Sequence, residues 1–207
     1  APGRMTIGSA TISDAHPHGA LTVAQVIQKS SNIGAAKMAL SFPPETMWKM
    51  FDDLGFGSPL KLGFPGEVGG RLRPAKSWRP IEQATMSYGH GMSVSLMQIA
   101  NAYQVFARDG DIVPLSLSRL DTPPVHGSRV FAPQTAREVR QMLEMVVQPG
   151  GTARQANVPG YRVGGKTGTA MKLVGGRYAN RYVASFVGIA PISDPRLIVA
   201  VMIDEPT

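Results

Sequence analysis

The chain has 207 residues, enough for one large or two small domains, and 43% of them are hydrophobic, which is ample for a core. Only 17% are charged, whereas Gly and Pro number 23 and 17, so a loop-rich α/β protein is expected and intrinsic disorder is not. The net charge of +7 comes from scattered Lys and Arg with no aromatic residues interleaved, which argues against a nucleic-acid partner; the absence of cysteine removes disulfides, thiolate catalysis and Cys-based zinc sites.

No apolar run approaches the roughly 20 residues of a membrane helix, the longest being Leu197 to Ile203, and the N-terminus has no signal-peptide pattern. The chain starts without Met and stops at Asp204-Glu205-Pro206-Thr207 just after that apolar run, so it is expected to be a fragment of a longer protein.

Residues 1 to 20 read as irregular chain or short strands, broken by Gly3, Gly8, Pro17 and Gly19. His16-Pro17-His18 reads as a solvated loop, because a zinc site needs further ligands that are not nearby. From Leu21 the spacing turns helical, with Thr22 as N-cap and an end near Lys29. Ser30-Ser31-Asn32 breaks it, and a second helix runs from Ile33 to Leu40. The break puts Ser30 and Asn32 on a loop where both side chains can point outward, or lets one of them simply cap the second helix.

Pro43-Pro44-Glu45 opens a third helix through Leu54, with Trp48, Phe51 and Leu54 on its core face. Ser58-Pro59-Leu60-Lys61 has the spelling of a nucleophile and its base, but that pair needs one helix face, and Gly57, Pro59, Gly63 and Pro65 forbid a helix. Glu82 to Tyr88 leads into Gly89-His90-Gly91, where His90 either lines a cleft or is an ordinary loop histidine. A helix from Ser93 or Ser95 to Arg108, a strand from Val113 to Leu120 and a helix from Pro133 to Val147 follow. The strands Tyr182 to Ile189 and Leu197 to Ile203 are joined by a turn too short for a parallel crossover, so they pair antiparallel.

The stretch Gly164-Gly165-Lys166-Thr167-Gly168-Thr169-Ala170 has two spellings. With Gly160 it matches a phosphate loop, and Leu197 to Asp204 resembles a strand ending in a magnesium-binding Asp. That reading needs a buried strand before the loop and a helix after it; Gln155 to Pro159 is not such a strand, and Gly168, Gly175 and Gly176 cannot sustain the helix. As Lys-Thr-Gly-Thr on a strand lining a cleft, it offers the Lys166 cation and the Thr169 hydroxyl to a substrate carboxylate, while Gly168 lets substrate approach the backbone.

Ser30-Ser31-Asn32 and Lys166-Thr167-Gly168-Thr169, with Gly55-Phe56-Gly57, Leu62 to Glu67, Ser87 to Gly91 and Arg181 to Gly188, resemble the transpeptidase domain of class B penicillin-binding proteins, in particular the division-specific members of Gram-negative bacteria. The resemblance covers nearly the whole chain. It implies an α+β fold, an antiparallel sheet flanked by helices as in serine β-lactamases, present here in incomplete form. It further implies peptidoglycan crosslinking in septal wall synthesis: an activated serine attacks the D-Ala-D-Ala bond, and the acyl group passes to an amine of a neighbouring strand.

By the same resemblance Ser30 relays a proton to the leaving nitrogen, Asn32 binds the acyl-side amide, and Lys166 supplies the electropositive field. Thr167, Gly168 and Thr169 bind the terminal carboxylate, the Thr169 N–H is an oxyanion donor, and Tyr88 and His90 border the cleft. The implied partners are stem peptides, β-lactams and division-complex membrane proteins. The implied location is the periplasmic face of the inner membrane, by way of an anchor helix outside this chain; no cofactor or metal is called for. The family's Ser-x-x-Lys precedes its Ser-x-Asn, and no such motif precedes Ser30, so this chain is expected to hold only the C-terminal part of the domain, without its last strand and helix, and to be inactive alone. The competing readings are a P-loop nucleotide-binding protein and a non-catalytic scaffold of the same fold.

Overall fold

The computed structural model describes residues 3–206. They form two compact units: one holds the residues up to Ser95 together with Pro114–Pro123, the other Leu96–Val113 together with the chain from Pro124 onward.

The first unit opens with a hairpin, β1 (Arg4–Ile7) and β2 (Ala10–Ser13), paired from Arg4 with Ser13 to Ile7 with Ala10. Helices α1 (Val23–Lys29), α2 (Asn32–Ala39), α3 (Pro44–Asp53) and α4 (Pro80–Met86) follow. Thr22 caps α1 as expected, in a full capping box: its hydroxyl accepts from the Gln25 N–H and the Gln25 carboxamide accepts from the Thr22 N–H. Ile12 of β2 packs with Ile33, Ala36 and Ala84 of α2 and α4, while Ala39, Met47, Trp78 and Met86 form a second cluster. The Gln83 carboxamide donates to the Ala39 and Phe42 carbonyls, so α4 holds the open C-terminal end of α2. Ser58 to Lys61 is non-helical, as the prolines and glycines require.

The second unit contains α5 (Leu96–Ala102), α6 (Gln104–Ala107), β3 (Asp111–Ile112), β4 (Ser128–Arg129), α7 (Pro133–Val147) and a three-stranded sheet of β5 (Gly164–Val174), β6 (Arg177–Ala190) and β7 (Leu197–Asp204). Two expectations fail here. The helix from Ser93 is interrupted at Tyr103, and Val113 to Leu120 is not a strand. The buried Gln104 side chain accepts from the Val113 N–H and donates to the Val113 carbonyl, satisfying the backbone groups that a strand partner would otherwise take. The short strand ends earlier, at Ile112, and pairs with Ser128.

β5 and β6 form one long antiparallel hairpin, so β6 begins at Arg177 and not at Tyr182. Gly175 and Gly176 both take positive φ, 58° and 79°, the conformation a two-residue hairpin turn needs for its twist to match the strands. β6 pairs antiparallel with β7 from Ala190 with Leu197 to Val183 with Asp204, as the short joint demanded. This ends the phosphate-loop reading: Lys166 and Thr167 lie inside a strand, and no βαβ unit surrounds them.

β7 is an edge strand whose alternate residues Leu197, Val199, Val201 and Ile203 are 62%, 53%, 46% and 55% exposed. An open edge with an apolar row is a template for further pairing. A polypeptide limited to these 207 residues is therefore expected to self-associate, and Val199→Lys with Val201→Lys to suppress it; sedimentation velocity over a concentration series measures both, and a monomeric unsubstituted polypeptide refutes the expectation.

Candidate active site

The Ser30–Asn32 turn is built by the way α1 stops and α2 starts. Ser30 terminates α1 in the left-handed region, at φ 56° and ψ 46°, with its N–H on the Ile27 carbonyl, and the Ser31 N–H bonds the Val26 carbonyl. Neither Ser30 nor Asn32 caps α2. Ser31 does: its hydroxyl accepts from the Gly34 N–H at 2.9 Å and donates to Asp14 Oδ2 at 2.8 Å. That leaves Ser30 before the cap and Asn32 as the first helical residue, with the Asn32 amide nitrogen donating to the Ser13 carbonyl at 3.1 Å. Gly34 is required by packing, since a Cβ there would collide with the Val26 side chain across the α1–α2 joint.

Tyr88 and His90 follow α4 in the same unit. Their rings meet edge to face, centroids 5.4 Å apart. Tyr88 packs on the Ile12, Ile33, Ala36 and Ala84 cluster, and burial together with the Asp14 carboxylate pushes its phenol up. Burial pushes the His90 imidazole below its ordinary range, which favours the neutral ring.

In the second unit Lys166, Thr167, Gly168 and Thr169 lie on β5, which borders the sheet opposite β7. Successive side chains alternate, so Lys166 shares its face with Gly168, and Thr167 shares its face with Thr169; the expectation that Lys166 and Thr169 present side chains together is corrected by the pleat. Burial lowers the Lys166 ammonium to about 8, and its Nζ donates to the Thr167 carbonyl at 3.0 Å. Backbone groups two residues apart point the same way, so the Thr169 N–H is directed to the same side of β5 as that carbonyl. Gly168 sits against Ser185, whose oxygen a Cβ would approach to 2.6 Å. Gly164 lies on the α7 backbone, where a Cβ would come 2.9 Å from the Glu144 nitrogen. That glycine is therefore a helix–sheet contact and neither a phosphate cradle nor a cleft floor.

Two residues were invisible in the sequence reading. Thr152, in the exposed bend after α7, places its hydroxyl 3.1 Å from that of Thr167. Asp14, at the end of β2, reaches seventeen positions ahead to Ser31 and also accepts the Ile33 N–H at 3.0 Å on Oδ1. Neither stands in a motif or at a periodic spacing, and only the fold brings them to their partners. Among the described residues no group of three or more His, Asp or Glu converges as a metal site would.

The chain matches the family model "Penicillin binding protein transpeptidase domain" over residues 2–207. It is 48% identical over 202 residues to a probable peptidoglycan D,D-transpeptidase, PenA, of Neisseria gonorrhoeae, covering 97% of this chain and 35% of that protein. It is 40% identical to the peptidoglycan D,D-transpeptidase FtsI of Escherichia coli K12, covering 94% and 33%. The chain thus spans about a third of the length of these curated relatives. Among solved structures, the transpeptidase domain of Burkholderia pseudomallei penicillin-binding protein 3 superposes with a TM-score of 0.95 at 56% identity, covering 100% of this chain and 63% of that one. Penicillin-binding protein 3 of Mycobacterium tuberculosis, complexed with aztreonam, gives 0.90 at 36% identity, covering 99% and 50%. The family match over nearly the whole chain and the superposition at 56% identity together place the chain in the penicillin-binding protein transpeptidase family.

Proposed function

We propose that the protein carrying this chain is a serine-type peptidoglycan D,D-transpeptidase that crosslinks stem peptides during septal wall synthesis, and that β-lactams acylate it. The observation that carries this is β5: a desolvated lysine, a paired threonine hydroxyl and a backbone N–H follow one another on an open strand edge. Such an edge binds a carboxylate and a developing oxyanion with preorganised donors. Thr167 and Thr169 bind the substrate's terminal carboxylate, Gly168 admits it to the backbone, and the Thr169 N–H is one oxyanion donor. Lys166 supplies the cationic field, Ser30 relays a proton to the leaving nitrogen, Asn32 binds the acyl-side amide, and Tyr88 and His90 border the substrate.

The nucleophilic serine and its lysine belong to polypeptide outside these 207 residues. Ser58 and Lys61 are no substitute, because their loop lacks the helix that would align them. The exposed apolar row of β7 supports the same reading, as a surface that further elements of the domain cover. We place the whole protein at the periplasmic face of the inner membrane, among division proteins, held by an anchor outside this chain; no helix among the described residues is long and apolar enough to cross a membrane.

Intact-mass measurement after incubation with benzylpenicillin tests the assignment. The full-length protein gains one penicilloyl adduct and the 207-residue polypeptide gains none; an adduct on Ser58 refutes the placement of the nucleophile. In the full-length protein Lys166→Met slows acylation on the order of 100-fold. The pH profile has a definite sign. The Lys166 ammonium loses its proton as pH rises through about 8, so acylation by a carboxylate-bearing β-lactam falls above that pH, and a rate that climbs there shows a neutral amine at work instead. Thr152→Val strips Thr167 of its hydroxyl partner and weakens binding of the same β-lactam by roughly 5-fold, the worth of one hydrogen bond, whereas Thr152→Ser keeps it; titration calorimetry with the acylation serine replaced separates the two.

A further inference from the structure

We propose that Lys172 is a positioning residue of the Lys-Thr-Gly-Thr edge: by tying β5 to the end of β7 it sets the twist at which Thr169 meets the substrate, a role that rests on the transpeptidase reading above.

The ladder of β5 and β6 is interrupted just past that edge. Met171 pairs with Tyr182 and Leu173 with Tyr178, so Lys172 stands opposite three residues of β6, Ala179 to Arg181. A bulge leaves its extra residues unpaired, bends the strand and increases the twist. It begins three residues after Thr169, whose N–H is an oxyanion donor in that reading. The third strand gives no ladder support there, because β7 pairs with β6 only as far as Val183 with Asp204. Beyond that point the hairpin is two strands wide, and a two-stranded hairpin is marginal in water.

Side chains close the gap. Lys172 Nζ spans β6 and donates to Asp204 Oδ2 at 2.9 Å and to Glu205 Oε1 at 2.8 Å. Arg181, on the other side of the bulge, donates from Nη1 to the same Glu205 oxygen at 3.4 Å. The Glu205 N–H bonds the Tyr182 carbonyl at 2.9 Å. Glu205 itself holds a left-handed conformation, at φ 51°, which is costly for an L side chain and persists where its surroundings over-determine it. Both sides of the bulge thus converge on one carboxylate at the end of β7. The hydrogen bond from Lys172 and the nearby Arg181 guanidinium hold the Glu205 carboxyl below its usual range, so the tie keeps its charges through neutral pH. The two lysines of β5 therefore have different work: Lys166 supplies the field of the site, and Lys172 holds the strand that carries it.

The tie acts unevenly along the edge. Thr167 pairs with Phe186, which is backed by Val201 in the middle of β7. Thr169 pairs with Ala184, which is backed by Ile203, one rung from the end of the β6–β7 ladder. Release of the tie disturbs Thr169 more than Thr167, and so the oxyanion donor more than the carboxylate contact.

The test is made in the full-length protein, with rapid-mixing kinetics of a fluorescent penicillin resolving the initial binding constant from the acylation rate constant. Lys172→Met is expected to slow acylation about fivefold or more, as a small displacement of a catalytic group does, with a smaller change in initial binding. Lys172→Arg keeps the cation and is expected to retain most of the rate. Asp204→Asn with Glu205→Gln removes the other end of the tie and is expected to match Lys172→Met; all three substitutions together are expected to be no slower than the slower of the two, because they break one link. The Asp204 and Glu205 side chains are 57% and 45% exposed, and exposed ion pairs contribute little to stability, so the urea midpoint is expected to stay nearly constant throughout. An unchanged rate in Lys172→Met overturns the proposal. So does a slow Lys172→Met beside a normal Asp204→Asn, Glu205→Gln protein, since Lys172 would then act on substrate directly. Additive losses, or a rate loss that tracks a large fall in the urea midpoint, overturn it as well. A wild-type protein that penicillin does not acylate removes the transpeptidase reading itself, whereas equal acylation of wild type and all variants removes only the role of Lys172.

Discussion

The antiparallel ladder between β5 and β6 is the constraint on which the chemistry of the second unit depends. Its register pairs Lys166 with Val187 and Gly168 with Ser185, and a slip of one residue would carry every side chain of β5 to the opposite face. Buried neighbours hold that register. Val187 and Ile189 are in the core, Gly164 lies on the backbone of α7, and Gly165 lies under the Phe186 ring, where a larger residue would collide. The glycines of this stretch are packing devices first, and their spacing is what lets the cation stand where it does.

From that register follows the electrostatics of Lys166. A strand edge open to substrate also exposes its cation to water, which would screen it; burial of the Lys166 side chain limits the screening and weakens the ammonium at the same time. The group is thereby kept charged at neutral pH but close to losing its proton, and its Nζ is steered by the Thr167 carbonyl. Thr152 completes the arrangement from outside the strand by fixing the hydroxyl of Thr167.

In the first unit the comparable constraint is the joint between α1 and α2. A left-handed residue, a serine cap and a glycine that admits Val26 make the turn, and the hairpin supplies the carboxylate that holds it. Helix capping and site geometry are therefore one structure here. The middle serine of Ser30-Ser31-Asn32 does the capping, and the Asn32 amide nitrogen bonds the Ser13 carbonyl of the hairpin.

Much of this was determined by the sequence alone, where the physics is local. Thr22 caps α1, prolines and glycines keep Ser58 and Lys61 out of a helix, and a short joint makes β6 and β7 antiparallel. The motifs Ser30-Ser31-Asn32 and Lys166-Thr167-Gly168-Thr169 were legible because the residue types survive without their surroundings. Tertiary structure decided the rest, because contacts between distant residues leave no periodic trace. Gln104 takes both backbone hydrogen bonds of Val113, where a strand was expected to begin. The pleat assigns Lys166 and Thr169 to different faces. Asp14 and Thr152, unremarkable in the sequence, become partners of Ser31 and Thr167 only when the chain has folded back across seventeen and fifteen residues.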